Sequence, residues 1–252
     1  MQIIVQDLVV CYEKSGNGPL VVLLHGWADS LKTFDNLCYL LEQHYTVVRI
    51  DLPGFGGSQP PSKDWTLIDY AQFVSSALQK IAIMPNDITM LVGHSNGGAI
   101  AIKAVASQIL KPKKLVLLAS SGIRRDSFKK TAYKILAKGG KLMTAVLPLK
   151  QKSKMRSHLY KVAGSDLLVA EHMQGTFLKV VSEDLQAEAE KISIQTCLIY
   201  GELDTATPPS FGQIYQHAII GSQLHVIKNA DHFLHQNHTD EVYDYIRKFD
   251  KS

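Results

Sequence analysis

The sequence has no apolar run approaching the roughly 20 residues that a membrane-spanning helix requires, so no bilayer span is expected of it. Cysteine is scarce: Cys11, Cys38 and Cys197 are scattered, odd in number and set among apolar neighbours. That usage predicts reduced, buried thiols in a cytoplasmic protein. The opening MQIIVQDLVV lacks a basic region followed by a long apolar stretch, so no signal peptide is expected. A surplus of charge is missing too; the formal net charge of +4 is too small to imply nucleic-acid binding by itself. Internal repeats and low-complexity segments are absent.

What is present is an ordinary globular composition, 46% hydrophobic and 20% charged over 252 residues. A chain of this length fits one large domain, or a core with a modest insertion. It can bury roughly three quarters of its unfolded surface without cross-links.

Short apolar runs punctuate the chain at Leu20–Leu24, Thr46–Ile50, Ile88–Val92, Leu115–Leu118 and Cys197–Tyr200. They are rich in Val, Ile and Leu without polar alternation, as expected of parallel strands buried on both faces. A further strand is predicted at Gln223–Lys228. Leu31, Phe34, Leu37, Cys38 and Leu41 recur at helical spacing, as do Leu67, Tyr70, Val74, Leu78 and Ile81. Thr66 and Asp69 have the spacing of a capping box for the second of these helices. Asn96–Leu110 reads as a buried helix ended before Pro112. Strand alternating with helix predicts an α/β doubly wound sheet. An N-terminal hairpin, Ile3–Val10 followed by a turn at Ser15-Gly16-Asn17-Gly18, adds antiparallel strands at one edge. The rhythm breaks between Gly122 and about Glu190, where the composition is helical; an inserted helical cap over 122–190 is expected, with the core formed by 1–121 and 191–252.

The chemical signal is Gly93-His94-Ser95-Asn96-Gly97, placed between a strand and a helix. Such a turn strains the serine, exposes its oxygen at the sheet edge and aims helix N-terminal amides at the same point. A serine hydroxyl needs a base, and the base needs an orienting carboxylate. Asp204 and His232 follow two later strands in the order nucleophile, acid, histidine. All three therefore leave the carboxyl ends of strands, where open α/β sheets bind ligands. The oxyanion of acyl transfer calls for preorganised donors, worth about 3 kcal/mol each; the amides of Trp27 and Asn96 are the candidates.

Together with His25-Gly26-Trp27, Asp51-Leu52-Pro53-Gly54-Phe55-Gly56-Gly57-Ser58, Gly201-Glu202-Leu203-Asp204 and Asp231-His232-Phe233, the elbow resembles that of the α/β-hydrolase superfamily. The resemblance implies an eight-stranded, mostly parallel sheet and a cap covering the active site. It does not name a substrate, because this fold hosts esterases, lipases, lactonases, thioesterases, peptidases and carbon–carbon bond hydrolases. Asn96 departs from the usual Met or Leu, and Ala230 stands where Gly often precedes the histidine.

Competing readings attach to several residues. Glu202 and Asp231 are alternative acids, the first better read as a solvated loop charge and the second poorly placed to reach the inner nitrogen of its neighbour. His25 reads as a structural residue of the oxyanion loop, and His94 as packing behind the elbow. Trp65 and Tyr70 read as packing residues, while Phe55 is a candidate for pocket contact. His232, His235 and His238 repeat every third residue as metal ligands can, but no carboxylate motif completes the set. No metal and no cofactor are expected.

From Gly122 to Ala163 twelve Lys or Arg face one acid, Asp126. This amphipathic segment reads as a solvated outer face of the cap, as a lid that docks on an anionic membrane surface or admits lipid-like acyl substrates, or as a contact for an acidic soluble substrate. Nucleic acid is not an expected partner. The expected activity is cleavage of a small-molecule carboxylic ester through an acyl-enzyme. A carbon–carbon bond hydrolase with the same triad and a non-catalytic small-molecule receptor are the alternatives; a dehalogenase would want a carboxylate at Ser95.

Overall fold

The computed structural model describes residues 1–124 and 171–251. Eight strands form one sheet: β1 (Gln2–Val5), β2 (Leu8–Ser15), β3 (Leu20–Leu24), β4 (Thr46–Ile50), β5 (Ile88–His94), β6 (Lys114–Leu118), β7 (Gln195–Gly201) and β8 (Gln223–Ile227). Their order is β1-β2-β4-β3-β5-β6-β7-β8. β1 and β2 pair antiparallel, as do β2 and β4, and every later pairing is parallel.

The near-continuous apolarity of the central strands has a direct cause. Along β3, Val22 and Leu24 enter one core cluster while Val21 and Leu23 enter another on the opposite face. A strand sandwiched this way has no solvent side and so no polar alternation. Helices α1 (Asp35–Leu41) and α8 (Thr239–Asp250) cover one face through Leu37, Leu41, Val242 and Ile246. On the other lie α2 (Leu67–Lys80), α3 (Asn96–Ala106) and α6 (Pro209–Ala218), with Phe73, Ile100 and Tyr215 in the core. The shorter α4 (Gln174–Ser182), α5 (Gln186–Ala189) and α7 (Leu234–Asn237) complete the described helices. The capping box forms, with the Thr66 amide and hydroxyl both donating to the Asp69 carboxylate at 2.8 and 2.6 Å.

Three expectations need correction. The hairpin turns at Gln6-Asp7, both at positive φ (49° and 64°), and joins β1 to β2. The glycine-rich Ser15–Gly18 segment instead leads from β2 to β3, between which β4 is inserted. Helix α3 stops at Ala106, short of Leu110, because Gln108 takes a left-handed φ of 58° and the Ile109 amide turns back to the Ala104 carbonyl. Cys38 and Cys197 are buried, but Cys11 is only half-buried on β2, where its thiol donates to the Gly57 carbonyl. Most of the expected cap, 125–170, lies outside the described residues. None of the described helices is long and apolar enough to cross a membrane.

Candidate active site

Ser95 sits between β5 and α3 with φ 52° and ψ −115°. A non-glycine residue at positive φ is costly unless its surroundings impose it. Here the imposition is visible: the Ser95 amide donates to the Leu118 carbonyl, and its own carbonyl accepts from Ala99 and Ser121. The flanking glycines follow from close approach. A Cβ on Gly93 would lie 2.5 Å from the Gly97 carbonyl oxygen, and one on Gly97 would lie 2.1 Å from that of Leu24. Only hydrogen fits at either position.

The loop after β8 delivers His232, whose Nε2 lies 3.0 Å from Ser95 Oγ. Its Nδ1 lies 2.7 Å from Asp204 Oδ2. Three side chains far apart in sequence thus form one continuous hydrogen-bonded array. Asp204 is buried (3% exposed) at the end of β7, and two amides hold its other oxygen, Ala206 at 2.8 Å and Thr207 at 3.0 Å. Burial alone would push the Asp204 carboxyl up, yet hydrogen bonding to His232, the imidazole's charge and the bonds from Thr207 together hold it below the usual carboxylate range. It therefore stays ionised and fixes the ring with Nδ1 as donor and Nε2 as acceptor toward the hydroxyl.

The rival acids take other roles. Glu202 accepts the amide of Asn229, a residue at φ 58°, and Asp231 accepts from Phe233 and Asn237 at the surface. Neither touches the ring of His232. The histidines with a three-residue period do not converge: His238 meets Glu241 at 3.6 Å, and His235 pairs with Thr33 at 2.8 Å.

His25 is wholly buried and bridges two loops. Its Nδ1 donates to the Gly26 carbonyl at 2.7 Å, and its Nε2 accepts the Leu52 amide at 2.9 Å. This bond ties the loop carrying Trp27 to the loop after β4. Asp51 reinforces the tie, accepting the amides of Leu31 and Gly57. Trp27 packs edge-on against Phe55, and its ring lies 5.1 Å from that of Phe177 on α4. Trp65 and Tyr70 are buried and stack edge to face, as packing residues do.

Asn96 opens α3, so its amide is among the four that an α-helix leaves without an intrahelical partner. Its side chain is buried as well, and among the described residues neither carboxamide atom has a hydrogen-bond partner. His94 packs behind the elbow, with Nε2 donating to the His232 carbonyl at 2.9 Å.

Two contributors escaped the sequence reading. Thr207 contacts both Asp204 and His232, and the signal was local: a Thr-Pro step three residues after the acid at a helix start. Phe177 joins Trp27 and Phe55 from a segment remote in sequence, and no sequence signal marked it.

A family model described as "Alpha/beta hydrolase family" matches residues 21–245. An uncharacterized protein of Mycobacterium tuberculosis is 30% identical over 112 residues, which is 44% of this chain and 32% of that protein. The chain thus matches about a third of the length of that relative. The pimeloyl-[acyl-carrier protein] methyl ester esterase of Aeromonas salmonicida is 24% identical over 95% of this chain and 98% of its own. Among solved structures, the enol-lactonase of Burkholderia xenovorans LB400 superposes with a TM-score of 0.78 at 18% identity, covering 100% of both chains.

Proposed function

Because the chain belongs to the alpha/beta hydrolase family, we propose that it hydrolyses a small carboxylic ester through an acyl-enzyme on Ser95. One observation carries the reading: the Ser95–His232–Asp204 array, with contacts of 3.0 and 2.7 Å, has the length and order that proton transfer from the hydroxyl needs.

In this reading Ser95 Oγ attacks the acyl carbonyl while His232 Nε2 takes its proton. The imidazolium is stabilised by the ionised Asp204 carboxylate. The amides of Trp27 and Asn96 donate to the oxyanion, each contributing about 3 kcal/mol to the transition state. Collapse expels the alcohol, which receives its proton from His232. Water then adds to the acyl-enzyme by the same route and releases the acid, restoring Ser95. Full-length similarity to the pimeloyl-[acyl-carrier protein] methyl ester esterase supports an ester as the bond broken.

Turnover of p-nitrophenyl esters, followed with labelling by a serine-directed phosphonate, tests the reading. Wild type is expected to turn over and to label, and Ser95→Ala to do neither, with kcat down by about 10⁴-fold or more. Cleavage of vinylogous diketone acids in preference to every ester would replace the ester reading with carbon–carbon bond hydrolysis. Ligand binding without turnover or labelling in wild type would replace it with a receptor.

A further inference from the structure

Beside the ring of His232, whose centroid lies 4.9 Å from that of His94, two buried imidazoles and a carboxylate come together. One ring nitrogen each from His94 and His235 and one oxygen of Asp29 all lie within 4.8 Å of one another. His94 is 1% exposed and His235 0%, and their ring centroids are 4.1 Å apart. Asp29 is half-buried at the rim.

The hydrogen bonding settles which atoms are left over. His94 Nε2 faces the carbonyl of His232, which can only accept, so Nε2 carries the proton and Nδ1 a lone pair. His235 Nε2 is taken by the Thr33 hydroxyl. Among the described residues, the Nδ1 atoms of both rings are buried without a hydrogen-bond partner. Asp29 commits one oxygen to the Ser30 amide and keeps the other. A lone pair, a second imidazole nitrogen and a carboxylate oxygen thus converge. A buried nitrogen left unpaired is destabilising, so two side by side call for an occupant that pairs both.

We infer that Asp29, His94 and His235 form a binding site for a divalent transition cation of the zinc type. Two imidazoles and one carboxylate are the donors such ions take, whereas magnesium and calcium prefer oxygen alone. Tetrahedral zinc with bonds of about 2.0–2.1 Å brings its ligand atoms closer than 4.8 Å. The half-buried Asp29 side chain, at the end of a loop, is the one free to close. An ion on His94 Nδ1 would also polarise Nε2–H and tighten its bond to the His232 carbonyl, linking the site to the loop that carries the base.

Calorimetric titration of the full chain with ZnCl2 at neutral pH, with MgCl2 as the control, tests this. Wild type is expected to bind one zinc per chain and no magnesium. Asp29→Asn, which keeps an oxygen for the Ser30 amide, and His235→Gln are expected to weaken zinc at least tenfold; circular dichroism checks their folding, and Asp29→Asn decides if His235→Gln is unfolded. His232→Ala retains the backbone carbonyl that orients His94 and is expected to bind as wild type does. No zinc binding by wild type, equal binding by wild type and Asp29→Asn, or loss in His232→Ala alone would each overturn the assignment. The readout is binding, so its failure leaves ester hydrolysis untouched.

Discussion

The hydroxyl of Thr207 stands 2.7 Å from Asp204 Oδ2, the same oxygen that receives the ring of His232. It also lies 2.8 Å from the Ala119 carbonyl and 3.1 Å from His232 Nδ1, so its single proton serves a crowded junction. The carboxylate is thus held from the backbone by two amides and from the side by one hydroxyl. Its direction, and therefore that of the imidazole, depends on this clamp.

Removing the clamp should be felt in kcat rather than in KM, because it misaligns the base without touching substrate. Thr207→Val is expected to lower kcat roughly tenfold, equivalent to about 1.4 kcal/mol in the transition state. Thr207→Ser should restore most of it. Steady-state kinetics on one ester checks both; an unchanged kcat in Thr207→Val would show the hydroxyl to be dispensable.

Asn96 offers a second test. Its side chain is 4% exposed and carries two polar atoms without a partner, while the amide proposed to hold the oxyanion belongs to the backbone. Asn96→Leu is therefore expected to raise stability by about 1–3 kcal/mol, read as a higher urea midpoint. Hydrolysis of simple esters should change only a few-fold. A fall in stability would mean that the carboxamide has a partner.

Acid should weaken the fold through its buried imidazoles. Burial pushes His235 down to about 3, and lowers His25 and His94 as well. An unfolded histidine takes up its proton near pH 6.5, and the folded ones refuse it. The unfolded chain then binds more protons, so this stabilisation is whole above about pH 6.5 and is lost as the pH falls toward 3, by up to about 1.4 kcal/mol per pH unit for each ring. Urea midpoints should drop between pH 7 and 5, and drop less in His235→Gln. A flat profile would contradict the burial argument.

The basic stretch 122–163, with twelve Lys or Arg against one acid, carries a separate expectation. The chain should co-sediment with vesicles rich in phosphatidylserine at low salt and be released at high salt, because such attraction is screened within about 10 Å at 0.1 M. Phosphatidylcholine vesicles should not retain it. Equal binding to both would point to apolar rather than charged contact.

Much of this architecture was legible because its determinants are local. A strand buried on both faces writes itself as an unbroken apolar run, and the elbow at Ser95 needs glycines at fixed offsets. Asp204 and His232 could be placed because each lies just past a predicted strand. Other features are not written locally. The Gln6-Asp7 turn lacks the glycine or asparagine that usually marks positive φ, so the local pattern points to the glycine-rich Ser15–Gly18 segment instead. Phe177 meets Trp27, and Asp29 meets His94 and His235, only after the sheet has brought distant loops to the same end. No window of sequence contains those pairs.

The placement of the proposed nucleophile on β5 and of its partners after β7 and β8 also bears on the moment of synthesis. A chain made only through β6 carries the proposed nucleophile but neither Asp204 nor His232. His232 follows β8 in the chain, after Asp204 has followed β7. In the proposed reading, a polypeptide made only as far as β7 lacks the base and is expected to be inert toward acyl compounds.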